Sequence, residues 1–181
     1  MGLVMTAGLL NAAFAIPMRY NRPTGPWTTP FSASSRPIML AGTRPTRWAA
    51  KRQEYYVLIE NIDSEENPKC YLTSVAEDFE IVSEVNHPQV KSLVDFYHEQ
   101  IAEGNLIEKL ERNISKVGLV HIADVPSRHE PGTGEINYPN IYQKLADLNY
   151  TQYVAMEFLP IGDPVATLRA ARETAIRAVQ R

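Results

Sequence analysis

The sequence predicts an α/β domain built on a parallel sheet and confined to residues 54–181. Three observations carry this prediction. Four short runs rich in β-branched, aliphatic and aromatic residues recur along the chain, each followed by a stretch with helical spacing. Strands that alternate with helices form βαβ units, which make parallel sheets. The composition, 44% apolar and 22% charged over 181 residues, is that of a globular domain with a sizeable core. Finally, each of the four runs ends on one polar residue able to bind a metal, as expected where strand ends form a shared rim.

The first run, "YYVLIENI" from Tyr55, reads as a strand. "SVAEDFEIVSEV" follows as a helix, with Val75, Phe79 and Val82 on one row and Ile81 and Val85 beside it. "VKSLVDFYH" reads as the second strand, and "NLIEKLERNISKV" as a helix that spaces Leu106, Leu110, Ile114 and Val117 along one face. The third strand is "GLVHIADV". It is followed by a polar loop, "PSRHEPGTGEINYP", punctuated by Gly132 and Gly134, and by the helix "YPNIYQKLADLN". "YVAMEFL" is the fourth strand, and "DPVATLRAARETAIRAV" closes the chain as a helix with Asp163 as N-cap and Pro164 in its first turn.

Residues 1–53 differ in kind. They contain seven Lys and Arg and no Asp or Glu, whereas residues 54–181 hold all 21 acids and the other 11 bases, so the two parts carry +7 and −10. Six of the thirteen prolines also fall there, in runs such as "RPTGPWTTP" that propagate neither a helix nor a central strand. Three readings compete: a secretory signal ending in "AFA" but lacking a preceding positive charge, an acid-free organelle transit peptide of poor amphipathicity, and a mis-started or out-of-frame segment. The third is preferred, and the segment is expected to be irregular. The expected compartment is the cytoplasm, unless this segment directs export or organelle import.

Net charge narrows the partners. At −3 overall, with a pI near 5.8, the chain offers no excess of positive charge for nucleic acid or an anionic membrane surface, and neither is expected as a partner. No stretch is long and apolar enough to span a bilayer. The single cysteine, Cys70, excludes an intrachain disulfide framework, and with no activating neighbour in sequence it reads as a partly buried thiol rather than a nucleophile.

The residues closing the four strands are Glu60, Asp95, His121 and Glu157. One carboxylate at a strand end is commonly a helix cap, and one histidine in an apolar run is commonly a hydrogen-bonded core residue. Four such residues at equivalent places in four successive units form a stronger signal. Three carboxylates and an imidazole suit a divalent ion such as Mg²⁺ or Mn²⁺, with positions left for substrate oxygens, whereas a structural zinc site would be richer in Cys and His.

"ADVPSRHEPGTGEINYP" resembles the signature loop of the hydroxypyruvate isomerase family, within the xylose isomerase-like TIM barrels that also include ketose 3-epimerases and 2-oxo-tetronate isomerases. The resemblance extends over residues 55–175: "VLIENID" is similar to the family's Leu-Ile-Glu-Pro-Ile-Asn strand, "LVDFYHEQIAEGNL" to its Asp-x-Tyr-His segment, and "YVAMEFLP" to its last strand. It implies a (β/α)8 TIM-barrel fold and a divalent metal held by Glu60, Asp95, His121 and Glu157, with Glu60 and Glu157 also acting on the substrate's proton. His98 matches a substrate-contacting histidine, and Arg128 an arginine that meets a substrate carboxylate or hydroxyl. Glu66, six residues after Glu60, matches a substrate-binding carboxylate of the epimerases. His129 and Glu130 are expected to order the loop rather than react. Two departures bear on the substrate: Asn61 stands where the family has Pro, and His121 where hydroxypyruvate isomerases often have Gln and epimerases have His.

The implied reaction is isomerisation of hydroxypyruvate to 2-hydroxy-3-oxopropanoate through an enediolate. The alternatives are a ketose 3-epimerase or 2-oxo-tetronate isomerase using the same site on a small hydroxy-keto acid or sugar, or an inactive half-barrel. A complete barrel takes eight βα units and about 250 residues, and four units are readable here. The expectation is therefore the C-terminal half of a barrel. Its edge strands are expected to lack neighbours and its inner face to stand open to water, with poor solubility or homo-oligomerisation through the free edges as the outcome.

Overall fold

The computed structural model describes residues 56–180 in full and, as backbone, two short strands at 15–17 and 38–40. One six-stranded sheet runs through it in the order β1-β6-β5-β4-β3-β2. Its four central strands are β3 (Tyr56–Glu60), β4 (Val90–Asp95), β5 (Val117–Ile122) and β6 (Tyr153–Met156), all mutually parallel. The helices are α1 (Val75–Val85), α2 (Phe96–Ala102), α3 (Leu106–Asn113), α4 (Tyr138–Asp147) and α5 (Pro164–Val179). The fold class is α/β, as expected from the alternation.

Two elements end differently from the sequence reading. The run "VKSLVDFYH" stops being a strand at Asp95, and Phe96, Tyr97 and His98 form the first turn of α2. The cause is local: Asp95 has extended backbone angles and its side chain accepts from the Tyr97 N–H, which starts a helix. The helix "NLIEKLERNISKV" ends at Asn113, Ile114 lies in a short 3₁₀ turn, and Val117 is the first residue of β5. β-Branched Val117 is 4% exposed within the sheet, so packing there outweighed its helical spacing. Asp163 accepts from Ala166 N–H to start α5, as the sequence predicted, and Ser74 caps α1 in the same way.

The expected open edges are paired. β2 (Ile38–Leu40) runs parallel to β3, and β1 (Ala15–Pro17) runs antiparallel to β6. Strands of three residues are too short to leave a periodic signal, which is why the prolyl segment concealed them. The remainder of the expectation for 1–53 lies outside the described residues.

Alternation along each strand sorts side chains onto two faces. Val94, Val120, Ile122, Val154 and Met156 pack with Val75, Phe79, Leu110, Ile141 and Leu145 of the helices in the main core. On the other face, Leu58, Leu93, Leu119 and Ala155 form a second cluster, none more than 1% exposed, with Tyr56 and Tyr153 packed against it. The expectation of an inner face open to water is therefore corrected: these four side chains are buried. Each buried leucine contributes roughly 1.5–3 kcal/mol. Their positions also place the functional residues, because the residues two further along each strand, Glu60, Asp95, His121 and Glu157, continue on that same face.

Candidate active site

Register brings the four side chains together. Asp95 pairs directly with His121 across β4 and β5, and His121 pairs with Ala155, two residues before Glu157. One ligand atom from each of Glu60, Asp95, His121 and Glu157 lies within 4.8 Å of those of the others. Asp95 and His121 are fully buried, Glu157 is 7% exposed and Glu60 is half-buried. Asp95 combines both readings open to a strand-end carboxylate: one oxygen caps α2 and the other faces the cluster.

Three carboxylates this close require compensation, since a buried charge is costly unless paired. His121 Nδ1 lies 2.7 Å from Glu157 Oε2 and 3.8 Å from Glu60 Oε1. Arg128 Nη2 donates to Asp95 Oδ2 at 3.1 Å and to Glu157 Oε2 at 2.9 Å. Burial alone would raise the Glu157 carboxyl, but the His121 hydrogen bond, its charge and Arg128 bring it down to about 2. Burial pushes Glu60 up to about 8, with Asp95 and Glu157 adding to the rise against the pull of His121 and Arg128. His121 is shifted up, because its carboxylate partners outweigh the burial that would lower it.

This donor set fits a hard divalent cation. One imidazole and three carboxylate oxygens are the ligands such ions take, and among the described residues one guanidinium opposes the three acids. Besides this, His121 Nε2 is buried without a hydrogen-bond partner among the described residues, an atom of the kind that a bound ion or substrate satisfies.

Around the cluster stand the other three residues singled out in the sequence. Arg128 Nη1 donates to Glu66 Oε2 at 2.8 Å and lies 3.2 Å from His98 Nε2. Its guanidinium sits 4.8 Å from the centre of the Tyr97 ring. Burial disfavours its charge, yet Asp95, Glu157 and Glu66 more than offset that and shift its pKa upward. Arg128 is thus a built member of the site, with its side chain 18% exposed.

The loop that carries Arg128 is organised by a residue the sequence reading passed over. Asp124 is fully buried, and its carboxylate accepts from the backbone N–H groups of Val125, Gly132 and Ile136 at 3.0, 2.7 and 3.0 Å. Gly132 has φ +97, a left-handed conformation that favours glycine. A side chain on Gly134 would overlap the Val125 carbonyl. Ser127 and Arg128 themselves have φ +77 and +57, so the loop holds the arginine in an uncommon backbone state. His129 and Glu130 tie this loop to the segment after β6: His129 Nδ1 lies 2.7 Å from the Leu159 carbonyl and Glu130 Oε2 accepts from Ile161 N–H at 3.2 Å. The only trace of Asp124 in the sequence was its place just after an apolar strand. Cys70 is partly buried, with its thiol against the Leu72 carbonyl.

Comparison with known proteins gives three results. The family model described as "Xylose isomerase-like TIM barrel" matches residues 42–178. Among curated relatives, a 2-oxo-tetronate isomerase of Cupriavidus necator is 38% identical over 112 residues, covering 62% of this chain and 43% of its own length. The hydroxypyruvate isomerase of Escherichia coli is 33% identical over 144 residues, covering 78% of this chain and 56% of its own. Among solved structures, one titled AP endonuclease, family 2, from Brucella melitensis superposes with a TM-score of 0.65 at 32% identity, covering 70% of this chain and 50% of that one. The chain spans about half the length of the relatives it matches.

Proposed function

Because this chain belongs to the xylose isomerase-like TIM barrel family, we propose that it carries the catalytic centre of a metal-dependent isomerase acting on short 2-oxo-3-hydroxy acids, with hydroxypyruvate as the first substrate. The observation that carries this reading is the convergence of Glu60, Asp95, His121 and Glu157 within 4.8 Å, with Arg128 beside them. Relatives named as hydroxypyruvate and 2-oxo-tetronate isomerases support the reaction class.

The chemistry follows from the residues. Isomerisation removes a proton from C3, whose C–H electron pair becomes the C2–C3 double bond as the C2 carbonyl pair moves to oxygen. Returning a proton to C2, while the hydroxyl proton passes from O3 to O2, leaves the carbonyl on C3. Glu60 and Glu157 both approach His121 Nδ1, at 3.8 and 2.7 Å, and would hold the two ends of this proton relay. Arg128 has the planar donor fork that pairs with a substrate carboxylate, which would exchange for Glu66. Glu60, Asp95, His121 and Glu157 would hold Mg²⁺ or Mn²⁺, which when bound supplies Lewis-acid stabilisation of charge on the substrate oxygens. A second reading, the same carbonyl shift on 2-oxo-tetronate, is favoured by the 38% identical relative.

The test is turnover of hydroxypyruvate and of 2-oxo-tetronate by the purified chain with Mn²⁺ or Mg²⁺, before and after chelation. Glu157→Gln, whose amide cannot relay a proton, should lose about a hundredfold or more in kcat. Activity that survives both chelation and this substitution would move the chemistry elsewhere.

A further inference from the structure

Asp63 and His98 form a buried pair that the proton relay does not use. Asp63 follows β3 and is fully buried; His98, in the first turn of α2, is 1% exposed. His98 Nδ1 lies 2.6 Å from Asp63 Oδ2. The other carboxylate oxygen accepts from the backbone N–H groups of Glu65 and Glu66, both at 2.9 Å, so the carboxylate is held by the same turn that presents Glu66 to Arg128.

The two ends of the ring meet partners of opposite character. An ionised carboxylate only accepts, so a 2.6 Å contact to Oδ2 places a proton on Nδ1. A guanidinium only donates, and Arg128 Nη1 stands 3.2 Å from Nε2 while Asp95 Oδ2, at 3.6 Å, is beyond hydrogen-bond reach, which leaves that nitrogen as the acceptor. The Asp63 backbone N–H is 3.4 Å from Nδ1, too long to displace the shorter contact. Hydrogen bonds to Asp63 from His98, Glu66 and Glu65 outweigh its burial and keep its carboxyl below the ordinary range, in agreement with the acceptor role.

We propose that Asp63 is a positioning residue: it fixes His98 as the Nδ1–H tautomer, so that the Nε2 lone pair, engaged by Arg128 in this structure, accepts a hydrogen bond from a substrate hydroxyl once Arg128 turns to the substrate carboxylate. The tautomer assignment stands on geometry alone, whereas the hydroxyl contact rests on the isomerase reading. It selects for substrates that bring a donor to this point, and disfavours those that bring a carbonyl oxygen there. A partner of this kind, behind a residue that contacts a ligand, is worth about 10–100-fold in affinity or activity at metal sites, and a similar size is expected here.

The test is ¹⁵N NMR of histidine-labelled protein, with His98 assigned by His98→Gln among the four histidines. In the parent chain, Nδ1 should resonate in the protonated range and Nε2 in the unprotonated range. Asp63→Ala should populate the Nε2–H tautomer and raise KM for hydroxypyruvate about tenfold or more, with a smaller change in kcat. Asp63→Asn, which keeps an acceptor oxygen, should restore the tautomer and recover KM to within a few-fold. An Nε2–H tautomer in the parent, or an unchanged tautomer in Asp63→Ala, overturns the proposal. Should Asp63→Ala not fold, the parent spectrum and Asp63→Asn still decide it. Because the spectrum needs neither metal nor turnover, a chain inactive on both keto acids would refute the isomerase reading and leave the tautomer result standing.

Discussion

Asp78 is the carboxylate to perturb when measuring how this fold responds to pH. It lies on α1 against β4, fully buried, with the Ser92 hydroxyl donating to Oδ2 and no partner for Oδ1 among the described residues. Burial pushes its carboxyl up to about 7 from the ordinary 3.8, and the Ser92 hydrogen bond offsets only part of that rise. The folded chain therefore keeps a proton that the unfolded chain has already released between about pH 4 and pH 7. Where the native state binds more protons, stability falls as pH rises. A displacement of some three pH units corresponds to roughly 4 kcal/mol in all, of which about half to two thirds falls between pH 5 and pH 8. Asp78→Asn keeps the shape and an acceptor for Ser92 but cannot ionise. Urea unfolding of parent and variant at pH 5, 6, 7 and 8 should show the variant gaining on the parent by about 2 kcal/mol or more across that range. A gap between the two that stays constant with pH would refute the argument, since a group that does not titrate across the window cannot contribute to the slope.

Two other outcomes are expected. Calorimetric titration with Mn²⁺ should show measurable binding that Asp95→Asn weakens at least tenfold, because a neutral amide replaces one of the anionic ligands while retaining the α2 cap; equal affinities would dismiss the four-residue centre. Gly134→Ala should cost roughly 1–3 kcal/mol in urea unfolding and reduce turnover, because the new methyl group meets the Val125 carbonyl, a backbone atom that cannot rotate away; an unaffected variant would show that the loop yields.

Much of this was legible in consecutive residues. The four strands and their helices came from apolar spacing, and the Asp163 cap from a residue type with one preferred use. Glu60, Asp95, His121 and Glu157 stood out because each closes an apolar run, and the quoted loop carried Arg128 and Glu130. Where two local signals conflicted, the sequence misled. Phe96, Tyr97 and His98 are as apolar and aromatic as a strand, but Asp95 caps a helix at that point. The edge strands β1 and β2 escaped because three residues have no period.

What the sequence determined by itself was parity: Leu58 and Glu60, Leu93 and Asp95, Leu119 and His121, and Ala155 and Glu157 must share a face, because strand side chains alternate. Which residues from different strands meet was decided only in the tertiary structure. Asp63 and His98 are 35 positions apart, Arg128 and Asp95 are 33 apart, and Asp124 organises a loop that extends twelve residues beyond it. Such contacts depend on the register of neighbouring strands, and a shift of one residue in that register turns a side chain to the opposite face of the sheet. The hydrogen bonds that set this register join backbone groups shared by every residue but proline, so the side-chain pattern along a single strand fixes its parity without naming its partner.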